Sequence, residues 1–441
     1  RIDTITYLDG AINGKIQVQG RFQDIKNISK QELVNIHSQG NITIHKGTIQ
    51  FKQQKKNIKD INTTILFKND LIQIDSLTMN LFDHPLIASG TFHHFLAYLF
   101  EENSSFTSRS TIKISLLDLK DFLFENTTTR TNRIFTSENF LSDITFLFDT
   151  IRYGKFQAYN IKANGTINTN QIHINHFFGN AIEGTIKGTA HLDISTNKKI
   201  NVAVLFKNVD IREMFREFDN FNQDFIVDKN LKGKLTANIN FSCNLKDSYK
   251  IIEESILSNA KIHITNGELI GFKPIQKLSK FVNIYELSHI VFSDLDNEIF
   301  IQKNKIILPQ MHIKASGYDL DIAGEHTFNN EFSYHLRLLM SQILSKKARQ
   351  AKQENSEFGI IEQDGSNKTS LYLKISGTPN DYHIGYDSEA VKKHINKRLK
   401  EEKENLKQIL KEEFHWFSKD KKTKKNNPNN SNNSEFKFKF E

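Results

Sequence analysis

The stretch "MHIKASGYDLDIAGEHTF", Met311 to Phe328, alternates apolar and polar residues, breaks at Ser316-Gly317, and alternates again to Gly324. Folding it about Ser316-Gly317 pairs Ala315 with Tyr318, Ile313 with Leu320 and Met311 with Ile322 on one face. The same register sets Lys314 against Asp319 and His312 against Asp321 on the other face. One face is then wholly apolar, and on the other opposite charges meet, which is how a β-hairpin with one buried face reads. Ser-Gly is a usable two-residue turn, weaker than Asn-Gly. The hairpin leaves one question open: whether its apolar face meets another protein layer or a ligand.

Working outward, most of the chain reads as strand. "NITIHKGTIQF" (Asn41 to Phe51), "STIKISLLDL" (Ser110 to Leu119), "KINVAVLF" (Lys199 to Phe206), "KLTANINFSCNL" (Lys234 to Leu245), "EIFIQKNKIIL" (Glu298 to Leu308) and "SLYLKISG" (Ser370 to Gly377) are β-branched or aromatic runs bounded by turn residues. A loose repeat of alternating run, glycine and bulky apolar residue recurs in "GKIQVQGRF", "LIASGTF", "GTIKGTAHL", "LDIAGEHTF" and "LYLKISG". Its spacing is too irregular for a fixed-period solenoid. It suggests one hairpin type reused along a long antiparallel sheet, with each glycine marking a bend or bulge that curves it.

Four helices are expected among the strands. "DIREMFREFDNF" (Asp210 to Phe221) opens with Asp210 and Glu213 at capping-box spacing, and Ile211, Met214, Phe215 and Phe218 form its stripe. "PIQKLSKFVNIYEL" (Pro274 to Leu287) has proline in its first turn. "LRLLMSQILSKKARQAKQ" (Leu336 to Gln353) turns from apolar to basic, and Ser388 to Phe417 is a long charged helix with a narrow apolar stripe. Core packing is the ordinary use of such stripes. The fold class expected is thus mainly β: a long curved antiparallel sheet forming an apolar groove, with a few short amphipathic helices and a C-terminal charged helix.

The 441 residues suffice for two or three domains or one extended one. The net charge of +8 is mostly a tail property: Glu389 to Glu441 hold fifteen Lys/Arg against nine Asp/Glu, leaving about +2 for the body. Nucleic-acid binding by the body therefore lacks its main electrostatic support, and no nucleic-acid partner is expected. The lone Cys243 allows no intrachain disulfide and no cysteine metal cluster. No apolar run approaches the length of a membrane span.

Signatures of phosphate-binding, nucleophile-elbow and zinc-helix enzymes are absent. His93-His94 and His173-x-x-His176 are poor metal ligands, because period two sends them to opposite faces of a strand. His312 and His326 read as polar partners on the outer face. "SDLDNE" (Ser293 to Glu298) lacks the glycine turn and distal acid of a calcium loop. Cys243 alternates with Phe241 and Leu245 and reads as a small core or groove residue. No catalytic residue, metal or cofactor is expected.

From Asn266 to Phe328 the chain resembles the C-terminal region of the AsmA-like proteins of Gram-negative bacteria. The matching elements come in order: "NGELIGF", the helix from Pro274, "LDNEIFIQKNKIILPQMHI", "SGYDLDIAGEHTF", then "YHLRLLMSQIL", "LYLKISGT" and Tyr386-Asp387. "NVDIREMFREFDNFNQDFI" and "LKGKLTANINF" resemble the portion before it, so the likeness covers about residues 200–390. It implies a relative of TamB-like and bridge-like lipid-transfer proteins, anchored in the inner membrane, projecting into the periplasm, and engaged in phospholipid transport and outer-membrane homeostasis. An anchor is then expected upstream of Arg1.

The resemblance and the residues converge. A sheet with one apolar face and little helix to cover it must close that face or fill it. Acyl chains could fill it, at about 0.8 kcal/mol per buried methylene. Met311, Ile313, Ala315, Tyr318, Leu320 and Ile322 are the expected groove lining, and phospholipid acyl chains the expected ligand. A closed sandwich core serving outer-membrane protein assembly is the competing expectation. Residues 1–200 are expected to form the N-terminal part of the groove, 201–387 the AsmA-like region, 388–417 the charged helix, and 418–441 a disordered tail. Phe436, Phe438 and Phe440 alternate with Lys437 and Lys439 at its end, a strand pattern suited to pairing with the sheet edge of an envelope partner.

Overall fold

The computed structural model describes residues 5–20, 37–51, 58–81, 83–94, 105–119, 140–195, 197–247, 249–273, 288–315, 318–340, 362–363, 369–387 and 404. They form a single twenty-stranded sheet. The strands are β1 Ile5–Gln19, β2 His37–Phe51, β3 Ile58–Lys68, β4 Leu71–Leu81, β5 His84–His93, β6 Phe106–Asp118, β7 Phe140–Tyr153, β8 Phe156–Asn168, β9 Gln171–Ala181 and β10 Gly184–Asp193. There follow β11 Lys199–Asp210, β12 Leu231–Asn244, β13 Leu257–Ile270, β14 His289–Gln302, β15 Lys305–Ala315, β16 Tyr318–Thr327, β17 Phe332–Met340, β18 Glu362–Gln363, β19 Thr369–Gly377 and β20 Tyr382–Tyr386.

Each strand pairs with its sequence neighbour from β1 to β17, and β19 then joins β17 to β20. The two-residue β18 shares the outer edge of β19 with β20. The sheet is open and curved, with nineteen strands side by side. At about 4.8 Å per strand it measures roughly 85 Å across the strands. It passes without a break through β11, where the expected division at residue 200 falls.

The opening hairpin has the register its sequence implies: Met311 faces Ile322, His312 faces Asp321, Ile313 faces Leu320, Lys314 faces Asp319 and Ala315 faces Tyr318. A bulge between Leu308 and Met311 takes in Pro309, which has no N–H to give a ladder.

Four expectations are corrected. The sheet is not antiparallel throughout, because β6 and β7 run parallel, with Ile112 beside Phe146 and Ile114 beside Phe148. The 21 residues between them are enough for the crossover that a parallel pair requires. "EIFIQKNKIIL" is not one strand. Lys303 and Asn304 both take positive φ (50° and 57°) and turn β14 into β15. Leu336 to Met340 belong to β17 rather than to a helix, since Phe332, Tyr334, Leu336 and Leu338 alternate with Ser333, His335 and Arg337. The helix at Asp210 forms, but as α1, Ile211–Glu217, short of Phe221. Asp219 to Asn222 all turn to positive φ and end it. Its start is as read: the Asp210 carboxylate accepts the Glu213 N–H at 3.0 Å.

The strand glycines fall at bulges, as the repeat implied: Gly90, Gly188 and Gly324 each stand at a register shift in the strand pairing. Gly90, Gly188 and Gly324 lie on the apolar face, against neighbouring backbone and side chains. A Cβ on Gly188 would come 2.8 Å from the Phe177 ring, and one on Gly324 would come 2.6 Å from Tyr334. Gly188 and Gly324 leave room for an aromatic ring to lie over the neighbouring strand.

The expected helix at 274–287, the continuation of 336–353, the charged helix at 388–417 apart from residue 404, and the tail with Phe436, Phe438 and Phe440 lie outside the described residues.

Candidate functional site: the inner face

Strand pairing joins the apolar sides of the strands into one surface. A single row runs Ile12, Ile44, Thr63, Leu77, Ala88, Ile112, Phe146, Ala163, Phe177, Gly188, Val204, Ile239, Ala260, Ile299, each residue beside the next on fourteen successive strands. A second row, Ile306, His326, Phe332, Gly377 and Tyr382, continues it across β15–β20. The outer side is mostly polar, with cross-strand pairs such as Arg109–Asp143 (3.5 Å), Lys305–Glu325 (3.2 Å) and Arg337–Asp321 (3.6 Å), although Phe300 and Ile307 pair on it and are buried. Exposed pairs of this kind contribute little stability each, about 0–1 kcal/mol, but they keep that face in water.

The inner face differs along its length. From β6 to β20 it carries one continuous buried cluster, which includes Phe148, Ile161, Phe206, Leu235, Ile264, Leu295, Leu320, Leu338 and Ile375. No described residue of β1–β5 belongs to it. There the same face is open at β1, where Leu8 is 66 %, Ile12 65 %, Ile16 57 % and Val18 51 % exposed, and half-covered across β2–β5, with Thr63 and Leu86 buried. The face is therefore closed over its larger part and open at its N-terminal end.

α1 and the segment after it supply part of the closure. Ile211 and Met214 are buried against the sheet. Phe218 stacks on Phe156 of β8 at 5.0 Å, and Phe221 meets Phe215 at 5.1 Å. Seven residues after Phe218, the Phe225 ring lies 4.1 Å from Phe332 and 5.1 Å from Tyr334, both on β17, and 5.0 Å from Phe272. In a flat sheet β8 and β17 would stand about 43 Å apart. Seven residues, four of them wound in a turn, reach about half of that, so the sheet curls around this strap. Side-chain amides hold it: Gln223 Oε1 accepts from the Phe225 and Ile226 N–H groups at 2.8 and 2.9 Å, and Asn230 Nδ2 donates to the Ile270 carbonyl at 2.9 Å.

The expected lining residues sit on this face. Ile313 and Leu320 are 3 % and 1 % exposed, inside the buried cluster. Met311, Ala315 and Ile322 are half-buried against it. Tyr318 pairs with Ala315 through its backbone, and its side chain lies outside the described residues. The structure brings them together as read, but in the closed part. The open part is lined by residues that the sequence reading did not single out, such as Ile12, Ile44, Ile65 and Ile74. Their signal was the same alternation, in β1–β4.

The titratable groups have structural explanations. His312 Nδ1 lies 2.6 Å from Asp321 on the outer face, as the hairpin register requires. His326, expected outside, points inward: it is 4 % exposed, among Phe225, Phe332 and Tyr334, with Nε2 3.3 Å from Asn330 Oδ1. Burial lowers its pKa from the ordinary histidine value. His173 pairs not with His176 but across strands with His191, Nδ1 to Nδ1 at 3.1 Å. Cys243 is buried beside Ile200, and burial pushes its thiol up to about 12, far from a nucleophilic thiolate. Among the described residues no three His, Cys, Asp or Glu side chains converge as metal ligands, and no helix is long and apolar enough to cross a membrane. A shallow depression of about 670 Å³ lies over the bulge where Gly10 faces Lys46 and Gly47, lined by Asp9, His45 and Asn62, and open to solvent.

No family model, curated protein or solved structure matches the chain.

Proposed function

We propose that the protein is a non-enzymatic lipid-binding protein that holds phospholipid acyl chains against its inner face, as the resemblance to the AsmA-like proteins implies. The observation that carries this reading is the apolar row that continues from the closed part of the sheet into β1–β5, where Ile12, Ile16 and Val18 stand exposed. Isolated exposed apolar residues are ordinary, but exposed ones on β1 that extend a half-covered apolar row across β2–β5 favour a binding surface. Acyl chains suit it because it offers many methylene contacts and few polar anchors, at about 0.8 kcal/mol per methylene buried. Lipid would slide along such a face rather than be recognised at one point. The same resemblance supports a periplasmic location with an inner-membrane anchor and a role in outer-membrane assembly and lipid homeostasis.

A second reading rests on the buried cluster of β6–β20: a β scaffold with an ordinary closed core that assists outer-membrane protein assembly. The two differ in what the open end carries. Organic extraction and mass spectrometry of the purified chain should find two-chain phospholipid co-purifying. Lipid-free protein that also takes up no fluorescent phospholipid from vesicles would leave the scaffold reading in place.

A further inference from the structure

We propose that His173 and His191 bind a divalent transition metal of the zinc class on the outer face of the sheet, with the side-chain carbonyl of Asn201 as its oxygen partner. No single strand carries this site in its spacing. Strand pairing makes it, by setting His173 of β9 against His191 of β10 and His191 against Asn201 of β11. The adjacent row of Ile172, Leu192, Ile200 and Cys243 points inward, so this row points outward.

Two observations converge on the pair. The first is its geometry. The two Nδ1 atoms lie 3.1 Å apart, and the rings are inclined at 65° with centroids 5.2 Å apart. The imidazoles therefore meet at their edges, where the lone pairs lie, rather than stacking. Two imidazole nitrogens on one metal stand about 2.9 Å apart at a right angle and about 3.4 Å apart at the tetrahedral angle. The observed separation falls between these. The second observation is Asn201, which is 7 % exposed and whose Oδ1 is buried with no hydrogen-bond partner. Leaving such an oxygen unsatisfied is costly. Residues directly opposite on paired strands have Cβ atoms about 4.5–5.5 Å apart, so this amide reaches a metal on His191 or a water bound to it. Thr189 Oγ1, two residues before His191 on the same side, is buried without a partner as well.

Burial, together with the neighbouring His173, lowers the His191 pKa against the opposing pull of Asp193. The imidazole is then neutral at pH 7, the form that ligates. In the neutral pair one Nδ1–H donates to the other Nδ1. A metal takes the lone pair of both Nδ1 atoms, and the proton moves to Nε2 of its own ring, so none is lost. Lys199 stands opposite Asp193, and their charges offset. Imidazole nitrogens with a neutral oxygen suit Zn2+, Ni2+ or Cu2+ rather than Ca2+ or Mg2+, which prefer all-oxygen sites. The metal would clip β9 to β10 beside the register shift at Gly188 and Ala190. The inner face takes no part, so this site stands or falls independently of the proposed function.

The test is titration of the untagged full chain with Zn2+ at pH 7, in competition with a chromophoric chelator. One equivalent should bind and raise the unfolding midpoint. His173→Gln and His191→Gln, which keep hydrogen-bonding capacity at each position, should each lose that equivalent with unchanged circular dichroism. His312→Gln, which removes an outer-face histidine paired with Asp321, should keep it. Asn201→Ala should weaken binding about tenfold, as losing a supporting group does. With Cu2+ in place of Zn2+, electron paramagnetic resonance should show coupling to two imidazole nitrogens, and to one in His173→Gln. Stoichiometric binding that survives both histidine changes would place the metal elsewhere among the sixteen histidines and overturn the proposal. A wild-type chain that binds no Zn2+ would overturn it too, leaving His173 and His191 as a hydrogen-bonded pair and nothing more.

Discussion

Phe225, from the segment between α1 and β12, lies with its ring centroid 4.1 Å from that of Phe332 on β17. The contact joins two parts of the chain more than a hundred residues apart and closes the inner face at the C-terminal part of the sheet. Phe225→Ala should therefore lower stability by about 2 kcal/mol, the contribution of a largely buried aromatic side chain. It should also uncover Tyr334 and His326. Denaturant midpoints measure the first effect, and quenching of tyrosine fluorescence by acrylamide the second. An unchanged midpoint would mean that the strap rests on the sheet without holding it.

Gly324→Ala should destabilise although alanine is the better residue for an ordinary strand. Its Cβ would meet the Ser333 carbonyl at 2.3 Å and the Tyr334 ring at 2.6 Å. Overpacking of this kind costs about 1–3 kcal/mol. Gly188→Ala should behave alike, with the Ala203 carbonyl at 2.1 Å and Phe177 at 2.8 Å. If the glycines served only to bend the strands, alanine would be tolerated at both positions, whose φ values are not in the left-handed region.

Much of the fold is legible in the sequence wherever charge and apolar periodicity agree. The hairpin register followed from His312 and Lys314 falling opposite Asp321 and Asp319, a constraint a slipped register would break. The parallel β6–β7 pair was not legible, because alternation reads the same whichever way the neighbour runs. "LRLLM" was misassigned because a short apolar run fits a helix stripe and a strand face alike. At His326 side-chain polarity argued for the outside, while the alternation through Leu320, Ile322 and Gly324 places it within. Which part of the inner face is covered depends on the strap, and no local pattern in the strands announces it.

Asp210→Ala should cost about 1 kcal/mol, the usual effect of losing a helix cap. It removes the acceptor of the Glu213 N–H and a carboxylate 3.7 Å from Lys234. Because Ile211 and Met214 anchor α1 in the cluster, the loss should show in the global unfolding midpoint. Asp210→Asn, which retains the acceptor, should recover most of it.

His326 gives the fold a pH dependence of defined sign. Its pKa is lowered by burial, so below the unfolded histidine value, about 6.5, the unfolded chain binds a proton that the folded chain resists. Its contribution is fully present above that value and is lost as the pH falls from there toward the lowered folded pKa. Other histidines titrate in the same range, so the measurement is a difference. Relative to His326→Gln, the wild-type chain should lose stability between pH 7 and pH 5 in denaturant titrations. A difference flat with pH would mean that His326 takes up its proton as readily folded as unfolded.

Ile65 and Ile313 occupy the same apolar face in its open and closed parts. Ile65 lies between Ile42 and Ile74 on β2–β4 and is half-buried, while Ile313 is 3 % exposed within the cluster. A carboxylate at Ile313 would be buried without a partner, so Ile313→Asp should cost several kcal/mol, about 4 or more. At Ile65 water can reach the charge, so Ile65→Asp should cost about 1 kcal/mol. Lipid loading should show the opposite ranking of information: Ile65→Asp, still folded, should take up far less fluorescent phospholipid from vesicles than the wild-type chain. If Ile313→Asp folds with near wild-type stability, the β6–β20 cluster is not a closed core. If Ile65→Asp loads lipid normally, the open face of β1–β5 is not where acyl chains bind, and the lipid-binding reading loses the surface on which it rests.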